Sequence, residues 1–220
     1  MAKAAKVNQR KAEDAFNHVR NELCELGLLA DGEYLDEIEL AITVLPSLWG
    51  EAGYVFDESV PLIARAVGYE PGVIYLPRNI PHSLYLPGGT LVDVVRHEFA
   101  HAWAWLDRDF IDSDWFTKAF GGFYSDTHYF ESGVYRLFSE MRHPITGTPI
   151  WGWHFENYGF KKSFFSDYAM KAVYEDFAET FMCFLRYRRS LARFKNRPGL
   201  YRKLKAVENA VRAKARELNL

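Results

Sequence analysis

The segment His97-Glu98-Phe99-Ala100-His101 has the pattern H-E-x-x-H. On a helix, side chains at positions i and i+4 lie one above the other, so both imidazoles would point into the same space. Neutral imidazoles are suitable zinc ligands, and the glutamate between them would stand beside the metal-bound water. The pattern therefore predicts a Zn²⁺ site with His97 and His101 as ligands and Glu98 as the base that deprotonates the water.

The residues around this motif predict a buried helix from about Thr90 to Leu106. Apolar side chains occur nearly all around it, and Asp93 is placed for a capping box at its start. Two histidines and a glutamate inside a hydrophobic helix are unfavourable unless partners satisfy them. A metal ion does so directly, which favours a metal site over a chance occurrence of the pattern.

A catalytic zinc site has three protein ligands and one open position, so a third ligand is needed. Asp107 follows His101 at a spacing that some zinc peptidases use, but the glycine that would turn their chain back is replaced here by Ala104. Distant imidazoles remain as alternatives, namely His128, His143 and His154.

Glu175 is the favoured third ligand. It lies four residues before Glu179 on a helix predicted from about Met170 to Tyr187. This spacing allows the first carboxylate to bind the metal while the second bonds a ring nitrogen of a ligand histidine. An acidic pair of this kind is usually a solvated helix face, but the rest of this helix is largely apolar. Cys183, one turn further on, is a less favoured thiolate ligand, because a buried free cysteine is the commoner case.

These two helices resemble those of the gluzincins, which are zinc metallopeptidases. The segments His-Glu-Phe-Ala-His and Glu-Asp-Phe-Ala-Glu-Thr-Phe are most similar to those of the anthrax lethal factor catalytic domain and of small bacterial zinc peptidases. Those proteins carry a Tyr-Ala pair before the glutamate helix, and this chain has Tyr168-Ala169 at the matching place. The resemblance implies that His97, His101 and Glu175 bind zinc and that Glu98 is the general base.

The same resemblance implies two further roles. Glu179 would bond a ligand histidine from outside the metal's own shell, and Tyr168 would stabilise the transition state of peptide hydrolysis. The substrate would be a protein or peptide. A strand at about Val73 to Leu76 precedes the metal helix, where zincins keep an edge strand that aligns the substrate.

The predicted fold class is α+β, zincin-like, with a small mixed sheet, an active-site helix and a glutamate helix. Helical spacing predicts a first helix from about Lys11 to Leu26, ended by Gly27 in the left-handed conformation. Alternating residues predict a strand from Ile38 to Val44. Other expected elements are a short helix at Val60 to Val67, a loop from Pro77 to Gly89 and a terminal helix from about Leu200.

Residues 1–70 are expected to belong to the same domain or to form a short appendage, and residues 71–220 to form the peptidase core. The chain has 220 residues, of which 49% are hydrophobic and 16% aromatic, so it can bury a substantial core. It has no apolar run long enough to span a membrane and no apolar segment of a secretory signal, so we expect no membrane partner and a cytoplasmic location. The oligomeric state stays open.

The charge is unevenly distributed. From Arg186 to Leu220 there are twelve Lys and Arg against two Glu, whereas the whole chain has a net charge of −2. Such a basic tail is either the solvated face of a terminal helix or a nucleic-acid surface over Arg186–Arg216. A nucleic-acid-associated protein, such as a peptidase for DNA-bound proteins, is therefore an alternative to a simple peptidase. A further alternative is an interaction module in which the metal is only structural.

Overall fold

The computed structural model describes residues 5–30, 33–43, 53–55, 69–77, 79–80, 89–125, 161–166, 168–170 and 172–219. Helices and small sheets in these residues make an α+β protein, as the sequence predicts. The chain forms two compact units, one comprising Met1–Arg108 with Ala210–Leu220 and the other Asp109–Asn209. The short helix expected at Val60 to Val67 lies outside the described residues.

The strands in the described residues belong to the first unit. They are β1 (Ala5–Lys6), β2 (Leu29–Ala30), β3 (Glu33–Tyr34), β4 (Glu39–Thr43), β5 (Gly53–Val55), β6 (Val73–Pro77) and β7 (Asn79–Ile80). A 3-10 turn, Leu35–Glu37, separates β3 from β4. β1 pairs with β7, and β2 pairs with β3.

The helices are α1 (Gln9–Glu25), α2 (Leu91–Leu106), α3 (Arg108–Ile111), α4 (Asp114–Phe120), α5 (Val173–Tyr187) and α6 (Pro198–Leu218). Short 3-10 segments cover Lys161–Ser163, Tyr168–Met170 and Arg188–Phe194. None of the helices in the described residues is both long enough and apolar enough to cross a membrane.

The helix predicted near the amino terminus is confirmed as α1. The Asn8 side chain caps its start by accepting a hydrogen bond from the backbone N–H of Lys11. Gly27 follows its end with a φ of 72°, the left-handed conformation that a glycine adopts without steric cost. Its buried face packs against α2.

Among the described strands, three form a sheet in the order β4-β6-β5. β4 runs parallel to β6, and β5 runs antiparallel to it. β6 therefore has a hydrogen-bonded neighbour on each side, and all its residues are buried. The prediction that this strand is an edge that aligns a substrate is wrong, because its main-chain groups are already used within the sheet. The loop prediction for Pro77 to Gly89 is also wrong at Asn79–Ile80, which form β7.

Helix α2 begins as the sequence predicts. The Thr90 hydroxyl accepts from the backbone N–H of Asp93, and the Asp93 carboxylate accepts from the backbone N–H of Thr90. The helix is not buried all around, however. Val94, His97, His101 and Trp105 are only half-buried. Since these residues are three or four positions apart, they share one face, and both histidines of the H-E-x-x-H motif lie on it.

A buried ionic cluster connects α1 to α2. The Arg96 guanidinium donates to Glu22 on α1, at 2.8 Å to each carboxylate oxygen, and to Asp93 at 2.7 Å. All three side chains are buried. The cluster therefore fixes how α2 packs against α1.

The second unit is built around α5 and Phe177. Its ring lies 5.5 to 6.4 Å, centroid to centroid, from five other aromatic rings of the described residues. These rings are Phe110, Phe116, Phe120, Tyr124 and Phe181. On another side of α5 the fully buried Asp176 carboxylate accepts from Lys203 of α6 at 2.5 Å. Aromatic packing and this ion pair connect α5 to the segments around it.

We expect Arg96→Ala to lower the free energy of unfolding by about 3–5 kcal/mol, because it leaves the carboxylates of Glu22 and Asp93 buried without their cation. Urea denaturation followed by circular dichroism measures the change. Arg10→Ala is the control, since the Arg10–Asp14 pair is exposed and its loss should cost less than about 1 kcal/mol. Equal effects of the two substitutions would contradict the role of the cluster.

Candidate metal centre

The two histidines of the motif converge in the structure. The Nε2 atoms of His97 and His101 are 3.1 Å apart, and their ring centroids are 4.8 Å apart. Two nitrogens that bind one tetrahedral zinc ion at about 2.0–2.1 Å lie roughly 3.3 Å from each other. The pair thus has nearly the spacing that a shared metal ion requires, so its geometry fits the predicted ion.

Glu98 is held by the sheet rather than by its own helix. Its side chain is buried, and its Oε2 atom accepts a hydrogen bond of 2.8 Å from the backbone N–H of Tyr54 on β5. One carboxylate oxygen is therefore fixed at a defined position beside α2. Sequence reasoning missed Tyr54, and no signal could have found it, because every residue except proline offers a backbone N–H.

The structure places the other predicted site residues in the second unit. Glu175 and Glu179 lie one turn apart on α5, and both are buried. The Tyr168 hydroxyl donates to Oε1 of Glu175 at 2.8 Å. Tyr168 thus lies beside the carboxylate predicted to bind the metal, although six residues separate the two in the sequence.

Ser166 connects Tyr168 to the second carboxylate. Its hydroxyl donates to Oε2 of Glu179 at 2.6 Å and accepts from the backbone N–H of Ala169 at 3.1 Å. The 3-10 segment that carries Tyr168 is therefore fastened to α5 at two points. Sequence reasoning missed Ser166, although a serine two residues before the tyrosine was a usable signal because short hydroxyl side chains often bond nearby backbone groups.

The alternative third ligands considered from the sequence were Asp107 and three distant histidines. Asp107 ends α2 and forms an ion pair of 2.8 Å with Lys214, while the Tyr34 hydroxyl lies 3.5 Å from the same carboxylate oxygen. Its carboxylate is thus engaged by a cation within the first unit. His128, His143 and His154 lie outside the described residues.

Cys183 is fully buried on α5. Burial raises the pKa of its thiol above the usual value, and the effect outweighs the lowering influence of nearby arginines. The side chain is therefore a neutral thiol that packs in the core of the second unit.

Comparison with known proteins adds no functional information to these residues. No protein-family model matches the chain, and searches of curated proteins and of solved structures give no significant match. The resemblance to gluzincins therefore rests on the two helix motifs and the tyrosine. The functional conclusion must come from the chemistry of the side chains.

Proposed function

We propose that this protein is a zinc-dependent peptidase of the zincin-like type, with His97, His101 and Glu175 as the metal ligands. Each offers one ligand atom, a ring nitrogen or a carboxylate oxygen. This is the donor set of several catalytic zinc sites, which leave the fourth position open. The observation that carries the proposal is the 3.1 Å separation of the two Nε2 atoms next to an anchored glutamate.

A zinc ion held by His97, His101 and Glu175 would act as a Lewis acid and would lower the pKa of a water molecule bound to it to about 7. Glu98 accepts a proton from the attacking water and later passes it to the leaving amine. The hydrogen bond from Tyr54 holds one oxygen of Glu98, so the carboxylate can transfer the proton without first being oriented. A carboxylate in this position has no purpose in a purely structural metal site, which favours catalysis over an interaction module.

Tyr168 is proposed to stabilise the oxyanion that forms as the scissile carbonyl is attacked. Its hydroxyl donates to Glu175 in the structure, so it already lies beside a proposed ligand. During the reaction it would transfer this hydrogen bond to the developing negative charge, where a donor contributes most. Ser166 and Glu179 keep the tyrosine segment in place while this exchange occurs.

Glu98→Gln tests the role of the general base. We expect the variant to bind one equivalent of zinc as the wild type does but to lose peptide hydrolysis, because an amide cannot accept the proton. Zinc content is measured by elemental analysis, and hydrolysis by the new N-termini that appear in a proteome-derived peptide mixture. Full activity of Glu98→Gln would rule out its role as general base. If the wild type bound zinc but cleaved no peptide, the metal would be structural and the protein would not be a peptidase.

His101→Ala and Glu175→Ala test the ligand set. Substituting a residue that hydrogen-bonds to a metal ligand, without touching the metal, typically weakens metal binding roughly 10–100-fold. His101→Ala and Glu175→Ala should each weaken zinc binding by more than this, whereas Glu179→Gln should fall within that range. Competition with a chromogenic chelator gives the dissociation constants. Asp107→Asn is the matched control, since this carboxylate pairs with Lys214, and its zinc affinity should not change. If Asp107→Asn greatly weakened zinc binding and Glu175→Ala did not, Asp107 rather than Glu175 would be the third ligand.

Tyr168→Phe should lower kcat by about 10²–10³, the usual effect of losing one oxyanion donor, with zinc retained. If Ser166 acts only through Tyr168, Ser166→Ala should lower kcat in the wild type but have little further effect in Tyr168→Phe. Steady-state kinetics at saturating zinc on all four proteins measures this coupling. Full activity in Tyr168→Phe would remove the tyrosine from the mechanism, and additive losses would separate Ser166 from it.

A further inference from the structure

The strongest charge asymmetry of the chain lies between the residues at 186 and 207. This segment holds nine Lys and Arg and no Asp or Glu, while the remainder, with 18 basic and 29 acidic residues, has a formal charge of −11. A protein that is acidic elsewhere thus concentrates a third of its cations in one short stretch. The structure shows which of these cations serve the fold and which face solvent.

Several of the cations are used internally. Lys203 pairs with the buried Asp176, Lys205 pairs with Glu208, and Arg197 donates to the backbone oxygens of Lys162 and Phe164. The far end of α6 is also neutralised, because Lys214 pairs with both Asp107 and Glu217. The basic tail predicted over Arg186–Arg216 is therefore not one continuous surface.

Two further arginines lie at the end of α5 and just beyond it. The guanidinium carbons of Arg193 and Arg186 lie 4.6 Å and 5.3 Å from the centroid of the same Tyr187 ring. Both guanidinium groups therefore lie against one aromatic ring, which keeps their two positive charges near each other. Like charges held together in this way repel each other, and an anion would relieve that repulsion.

We call the residues Arg186, Arg189, Arg193, Lys195 and Arg202 the basic surface. Arg189, Arg193, Lys195 and Arg202 are exposed. In the described part of the chain, no acidic side chain forms an ion pair with Arg193, Lys195 or Arg202. These three cations therefore retain their full charge toward solvent.

A polymer of phosphates presents many negative charges over a length comparable to that of this part of the chain. The 3-10 segment Arg188–Phe194 spans at most about 14 Å at roughly 2 Å per residue. A duplex carries one charge per about 1.7 Å of axis, so roughly eight phosphates fall within this length. The Tyr187 ring lies beneath two guanidiniums, which leaves it poorly placed to stack on a base. Contacts would thus be made to the backbone, which carries no sequence information.

We propose that the basic surface binds the phosphate backbone of nucleic acid without sequence preference. This function is independent of the metal centre, since none of its residues belongs to the proposed ligand set. A peptidase with such a surface would be concentrated on substrates that are themselves bound to nucleic acid.

Binding of a labelled random-sequence DNA duplex, followed by fluorescence anisotropy from low salt to about 150 mM, tests the proposal. The variant Arg193→Gln/Lys195→Gln/Arg202→Gln should bind more weakly, and its slope of log K against log salt should be shallower by about 2–3, near 0.9 per lost phosphate contact. The matched control is Lys11→Gln/Lys118→Gln/Arg216→Gln, which removes the same charge from exposed positions elsewhere. The control and Glu98→Gln should both bind as the wild type does.

Three results would overturn the proposal. The wild type could fail to bind the duplex even at low salt, or the control could lose as much slope as the triple variant of the basic surface. Vesicles containing phosphatidylserine could also bind as tightly as the duplex and with the same dependence on Arg193, Lys195 and Arg202, which would assign the surface to anionic lipid. Thermal unfolding of each variant verifies that a loss of binding does not come from a loss of folding.

Discussion

The proposed function depends on two imidazoles that are held on one face of an apolar helix. Helical periodicity places positions i and i+4 one above the other, so His97 and His101 become neighbours when α2 forms. Their Nε2 atoms are 3.1 Å apart, a distance at which two positively charged rings would repel and two neutral rings can share only one proton. A divalent cation satisfies both nitrogens at once. The formation of α2, and therefore the contacts that stabilise it, is the condition on which the site rests.

Glu98 and Tyr168, the two side chains with a proposed catalytic role, are each oriented by a contact from outside their own element. Glu98 on α2 is held by a backbone N–H of β5, and Tyr168 is held by Glu175 on α5. Such contacts reduce the conformational freedom that a side chain would lose during catalysis, which is the physical content of preorganisation. In the first unit the orienting contact is a hydrogen bond from a main-chain N–H to a carboxylate. In the second unit it is a hydrogen bond from a side-chain hydroxyl to a carboxylate.

Charged residues have two distinct roles in this protein. Buried ions such as Arg96 and Lys203 are paired with carboxylates and connect neighbouring helices, because an unpaired ion in that environment would be very unfavourable. Exposed cations such as Arg193 and Lys195 have no such partner in the described residues and contribute little to folding. A count of charges along the chain cannot separate the two roles, since Lys203 and Arg202 are neighbours with opposite environments.

The sequence by itself determined the elements and residues that depend on local spacing. The α+β class, the capping box of α2, the left-handed Gly27 and the histidine pair follow from interactions within a few residues, so the pattern of side chains was sufficient. Only the tertiary structure decided that β6 is a central strand, that Tyr54 anchors Glu98 and that Ser166 joins Tyr168 to Glu179. The order of strands in a sheet and the partner of a backbone N–H are set by contacts between distant segments, and these leave no periodic signal in the chain. The same reason explains why half-buried positions such as Val94 and Trp105 could not be told from core positions by hydrophobicity alone.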